Sequence, residues 1–217
     1  GLDSPDEVQA HRRHHLRQVK SAFRQADVFI FTLGLTETWA DRTSGQVFPT
    51  APGVLAGRYD PDQHVFLNQG FGSVVSDFLA FRAQLKRRNP DVRFVLTVSP
   101  VPLTATAGDE HVLAATLYSK SVLRAAAGEL AQAHDDIDYF PSYEIVASPF
   151  NRTSRYQANL RSVSADGVEA VMQVFFAHHG DEARPRNRPA PKAAPAPAAQ
   201  EAPDVVCEEA LLEAFAR

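Results

Sequence analysis

Three polar groups stand directly after apolar runs in this 217-residue chain: Gly34-Leu-Thr36-Glu37 with Trp39 close behind, Ser99 before Pro100, and Ser142-Tyr-Glu144. A glycine exposes its backbone N–H, a hydroxyl can donate, and a carboxylate can take a proton. Together these can offer backbone donors and a general base. Glu37 is the candidate catalytic carboxylate. Gly34, Thr36, Trp39, Ser99, Ser142 and Glu144 are the candidate donors and substrate contacts. The plain alternative for the first group is a glycine turn followed by a solvated glutamate. His111, in Asp109-Glu110-His111, is the histidine placed to act as general base, and its alternative is a surface histidine at a helix start. His14, His15, His178 and His179 read as solvated, and the role of His64 is open.

Tyr118-Ser119-Lys120-Ser121 is a compact polar group in a stretch otherwise rich in Ala, Leu and Val. Serine and lysine can serve as nucleophile and base. Adjacent helical positions do not face each other, however, so an ion pair from Lys120 to Glu37 or Glu144 is the more economical expectation. There is no phosphate-cradling glycine loop, no Gly-x-Ser-x-Gly elbow and no His/Asp/Glu spacing typical of a metal site. Neither a cofactor nor a metal is expected.

The elements that must position these groups follow from the apolar periodicity. Ser4-Pro5-Asp6-Glu7 is a capping box opening a first helix, with Leu16, Val19 and Phe23 at helical spacing. Val28 to Leu33 reads as a strand buried on both faces, as in a parallel sheet. Gln46 to Asn68 is an irregular excursion, with short hairpin strands near Val47-Phe48 and His64 to Phe66. A helix is expected over Gly72–Arg88, a strand over Val92–Val98, a helix over His111–Ala133 and a strand over Ile137–Phe140. A last helix, Ala165–His178, is capped by Ser164 and carries a core stripe of Val168, Val171, Met172, Phe175 and Phe176. Alternating helices and strands of this kind predict an α/β fold, a three-layer αβα sandwich with a mainly parallel sheet. The carboxyl ends of its strands would gather the polar groups on one rim.

That domain is expected to occupy residues 1–182. Residues 183–204 are dominated by Pro and Ala and read as a linker. Residues 205–217 read as a short amphipathic tail helix, expected either to dock on a protein partner or to fray. A formal net charge of -4 argues against a dedicated nucleic-acid binder, and the single cysteine excludes an internal disulfide. No stretch approaches the roughly 20 apolar residues of a membrane span. With no signal peptide visible, the expected location is cytoplasmic. Because the chain starts at Gly1, it reads as a fragment lacking its amino-terminal part.

Four blocks, in order, carry a resemblance. They are Thr32-Leu-Gly-Leu-Thr-Glu-Thr-Trp39, Thr97-Val-Ser-Pro-Val-Pro-Leu103, His111-Val-Leu with Tyr118-Ser-Lys-Ser-Val-Leu-Arg124, and Tyr139-Phe-Pro-Ser-Tyr-Glu-Ile145. Over about residues 5 to 180 the chain resembles the GSCFA domain family, named after an amino-terminal Gly-Ser-Cys-Phe-Ala motif. That family is similar to the SGNH/GDSL hydrolases, which implies a flavodoxin-like sandwich with a serine esterase or acyltransferase type of site. By this resemblance Gly34 matches the oxyanion-hole glycine, and Thr36 stands near a position usually held by asparagine. Two departures accompany it. Gly-Ser-Cys-Phe-Ala, with its presumed nucleophilic serine, occurs nowhere in the chain. Asn159 to Gly167 stands where an Asp-x-x-His pair is usual.

The resemblance implies a hydrolase or acyl-ester transferase acting on oxygen esters such as acylated saccharides, inactive without its serine-bearing segment. A non-catalytic carbohydrate-binding or scaffold module on the same frame is the alternative, favoured by the missing Asp-x-x-His pair.

Overall fold

The computed structural model describes residues 4–55 and 57–180. In chain order the first elements are α1 (Pro5–Gln25), β1 (Val28–Leu33), β2 (Glu37–Asp41), β3 (His64–Asn68) and α2 (Phe71–Lys86). Then come β4 (Arg93–Val98), α3 (Val112–Ala133), β5 (Ile137–Tyr139), α4 (Ser142–Ala147) and α5 (Ala165–His179). The chain is a mixed α/β protein with a parallel sheet, as expected, and with a separate antiparallel pair. The expected linker and tail, 183–204 and 205–217, lie outside the described residues. Contacts divide the chain into two units: Gly1–Gly34, Gln69–Ser99 and Lys120–Pro141 form the first, and Leu35–Asn68, Pro100–Ser119 and Ser142–Arg217 the second.

In the first unit β1, β4 and β5 form a parallel sheet in the order β1-β4-β5. Its core is aromatic. Phe23 of α1, Phe78 and Phe81 of α2, Phe29 and Phe31 of β1 and Phe94 of β4 meet at centroid distances of 5.3 to 6.4 Å. Such edge-on and tilted rings add to the stabilisation from burial. α1 starts as the capping box predicts, with the Glu7 N–H donating to Ser4 Oγ. It ends where Asn89 Nδ2 donates to the Phe23 and Ala26 carbonyls, satisfying groups the helix leaves open.

Burial on both faces holds for β4 and fails for β1. Every β4 residue from Phe94 to Val98 is buried, whereas Val28 and Ile30 are 49% and 54% exposed. The cause is position. β4 is paired on both sides, while β1 is the edge strand and buries only its phenylalanine side.

In the second unit β2 and β3 pair antiparallel, setting Glu37 opposite Asn68, Trp39 opposite Phe66 and Asp41 opposite His64. The sequence placed Glu37 in a turn, but it is the first residue of a strand. Near Val47 only an isolated bridge to Ala40 forms, with Phe48 N–H donating to the Trp39 carbonyl. Ser142 and Glu144 lie on the short helix α4 rather than at a bare strand end. α5 is capped as expected, Ser164 Oγ accepting from the Gly167 N–H. Gly167 is required there, since a Cβ would meet the Arg155 carbonyl oxygen at 2.7 Å. The α5 stripe is not a closed core: Val168, Met172 and Phe176 are 52%, 39% and 44% exposed.

Candidate functional site

Gly34 follows the last residue of β1, and the peptide on each side of it is fixed. The Leu33 carbonyl accepts from the Ser99 N–H at 2.9 Å. The Gly34 carbonyl accepts from Lys120 Nζ at 2.8 Å. Between these anchors the exposed Gly34 N–H meets no acceptor among the described residues. An N–H so placed at the carboxyl end of a strand could donate to an acceptor outside the described residues.

Lys120 is almost wholly buried, with 1% of its surface exposed. Burial pushes its ammonium down to about 8, because the charged form loses its water. The expected ion pair with Glu37 or Glu144 is not what this side chain makes. Its partner is the Gly34 carbonyl, so its charge is spent on orienting a peptide.

The residues after Gly34 build a second network. Thr36 is 1% exposed, its N–H donates to Ser119 Oγ at 2.7 Å, and its hydroxyl donates to Asn68 Oδ1 at 2.6 Å. Both donors of Thr36 are therefore committed inside the protein. Ser119 is itself fully buried, serving as an acceptor. Glu37 is half-buried and accepts from the Thr106 hydroxyl at 2.6 Å and the Ala107 N–H at 3.5 Å. Among the described residues no cation reaches it, so its charge is held by neutral donors alone.

His111 stands at the start of α3, exposed, with Nδ1 accepting from the Leu113 N–H at 3.2 Å and its carbonyl accepting from Ala115. No hydrogen bond joins it to Glu37. Its position is the helix-start one weighed above. Trp39 joins Tyr59 and Phe66 at 5.2 and 5.4 Å. Ser142 and Glu144 open α4, beside Tyr143, whose hydroxyl is raised by burial and by the Glu144 charge. Among the described residues, no group of His, Cys, Asp and Glu could hold a metal ion. No helix there is long and apolar enough to cross a membrane.

The structure thus links Gly34, Ser99 and Lys120 in one constellation and gives Thr36 and Glu37 partners in another. Among those partners Asn68 and Thr106 escaped sequence reasoning, as did Tyr156 in the same unit. Asn68 becomes visible only once β2 and β3 are put in register. Thr106 lies in a loop between two elements. Tyr156, raised by burial and then by Tyr143, donates to the Pro100 carbonyl at 2.9 Å and ties down the stretch after Ser99.

A model of the GSCFA family matches residues 2–175. The chain belongs to the GSCFA family. No curated protein matches this GSCFA chain. Among solved structures, a Streptococcus pneumonia chain described as a candidate platelet activating factor is similar at 13% identity and a TM-score of 0.39, over 81% of this chain and 99% of that one.

Proposed function

We propose that this GSCFA chain supplies the oxyanion donor and acid/base groups of an SGNH-like esterase or acyltransferase acting on oxygen esters such as acylated saccharides. The observation that carries the reading is the Gly34 N–H, unpartnered while both flanking carbonyls are anchored by the Ser99 N–H and Lys120. Acyl transfer needs such a donor where the carbonyl oxygen gains charge. Glu37 is oriented by Thr106 with no cation beside it among the described residues, an arrangement for a carboxylate that takes a proton directly or through a neighbouring group. His111, whose Nδ1 accepts from the Leu113 N–H, carries its ring proton on Nε2, so in this geometry that nitrogen is a donor suited to a general-acid role.

The attacking serine on this reading belongs to the Gly-Ser-Cys-Phe-Ala motif, which is not among these 217 residues. It would fall on an SGNH-type sandwich to which this chain contributes the parallel sheet. In a protein carrying that motif joined to this chain, a short-chain aryl ester should be hydrolysed, and a fluorophosphonate should label the motif serine. Neither turnover nor labelling would overturn the hydrolase reading in favour of a binding or scaffold module.

A further inference from the structure

Beyond Glu37 and Asn68, the β2–β3 hairpin carries residues that this site does not use. Directly opposed residues of an antiparallel pair share a face. The pairs Glu37–Asn68, Trp39–Phe66 and Asp41–His64 therefore run as one stripe, polar, aromatic, polar. The Tyr59 ring extends the aromatic middle, at 5.2 Å from Trp39 and 5.9 Å from His64, and is 47% exposed.

At the Asp41–His64 end the surface sinks into two adjoining cavities. One, of about 510 Å³, is lined by Arg58, Tyr59, Asp60, Pro61, Gln63 and His64. The other, of about 230 Å³, includes Phe48, Pro49 and Leu55 and shares Arg58 and His64 with the first. The larger volume is that of a small-molecule site.

The groups here are held in place. His64 Nδ1 accepts from the Asp60 N–H at 3.0 Å, which puts the ring proton on Nε2 as a donor. The Asp60 carboxylate accepts from Gln63 Nε2 and the Asp62 N–H. Gly53, at φ +87, lets its loop lie against the Tyr59 backbone, where a Cβ would come within 3.2 Å of the Tyr59 nitrogen. Arg58 is exposed and forms no ion pair among the described residues.

We infer that this hairpin face is a subsite for a neutral oligosaccharide, with Tyr59, Arg58 and His64 at its far end. The inference rests on the ester reading above and names the part of the substrate that does not react. Sugar rings present C–H faces, which suit the negative face of an aromatic ring, and a rim of hydroxyls that need donors and acceptors side by side. Tyr59 and Trp39 offer the first; guanidinium, imidazole, amide and carboxylate offer the second. An anionic polymer fits poorly, because Glu37, Asp41, Asp60 and Asp62 outnumber Arg58 and Arg42, and the Arg42 guanidinium is taken up by the Pro61 and His64 carbonyls. Length follows from the register: four residue steps separate Glu37 from Asp41, roughly 14 Å at the rise of a strand. A single ring does not span that distance, so the ligand is a chain of several sugars.

The sole tryptophan, Trp39, reports on this face directly. Its fluorescence should be titrated in this 217-residue chain with cello-, xylo- and chito-tetraose, with glucose, and with a heparin tetrasaccharide. At least one neutral tetramer should shift the emission, with glucose at least tenfold weaker and the heparin fragment weaker still. Tyr59→Ala and Arg58→Ala should each weaken binding about tenfold or more, with melting unchanged. Absence of a response to all neutral tetramers overturns the inference, as does unchanged binding in both variants or preference for the heparin fragment. Loss of aryl-ester turnover in the motif-bearing protein, with tetramer binding intact, would count against the hydrolase reading alone. Turnover without tetramer binding would count against the subsite alone.

Discussion

Two half-buried carboxylates, Asp136 in the first unit and Glu37 in the second, are held in opposite ways. Asp136 accepts from Arg82 at 2.6 and 3.0 Å and from Lys86 at 2.8 Å, closing the turn before β5 against α2. The Arg82 hydrogen bond, helped by Lys86 and opposed by burial, holds its carboxyl well below the usual carboxylate range. A group so neutralised has little basicity left. Glu37 has only a hydroxyl and a backbone N–H. The difference separates a carboxylate ion-paired to fasten elements from one held by neutral donors alone.

The largest effect should come from breaking the fastened carboxylate. Removing one member of a fully buried pair costs about 3–5 kcal/mol. The side chains here are 19 to 28% exposed, so Asp136→Ala should cost somewhat less, about 2–3 kcal/mol in urea unfolding. Its acid dependence has a definite sign. A carboxyl lowered in the folded state stabilises fully above its unfolded pKa of about 4, and that contribution fades as pH falls below it. Asp136→Asn should flatten the loss of stability below about pH 4. An unaltered acid profile would mean the Arg82–Lys86 clamp contributes nothing.

Lys120 gives a pH dependence of the same sign, displaced to an alkaline window. Its folded value, about 8, lies below the unfolded value of about 10.4. Between these the unfolded chain holds a proton that the folded protein has released, so Lys120 makes stability rise with pH across that window. Lys120→Met should remove this rise, read as melting temperature against pH. It should also lower kcat more than it raises KM for ester hydrolysis, because the Gly34 carbonyl loses its anchor. Smallest in stability is Thr106→Val, which deletes one donor to Glu37 and should cost about 1 kcal/mol. If it costs as much as Asp136→Ala, the proposed contrast between the two carboxylates collapses.

Much of the scaffold was legible because its signals are local. The Ser4 and Ser164 caps, the break after α2 at Asn89-Pro90 and the strands β1, β4 and β5 all follow from residue types within a few positions. What escaped depends on pairing. Val28 to Leu33 and Arg93 to Val98 look alike as apolar runs, yet only the second is central, and no residue within β1 declares that it lies at an edge. The candidate residues divide the same way. Gly34 and Glu37 were visible by type and placement, whereas Asn68 and Thr106 become partners only through the hairpin and a loop. Lys120 was singled out for its chemistry but given a carboxylate partner, because sequence shows charges and hides buried carbonyls.

The central claim is that Glu37 is chemical rather than structural, and Glu37→Gln tests it most directly. Glutamine keeps the shape and one acceptor oxygen for Thr106 while removing the charge. In the protein carrying the Gly-Ser-Cys-Phe-Ala segment, aryl-ester turnover and melting should be measured together. Turnover should fall by about 10²–10⁴, the usual worth of a positioned acid or base, with melting essentially unchanged. Turnover equal to that of the unaltered protein, with equal melting, would contradict the account and leave Glu37 as a strand-start residue with no part in the chemistry.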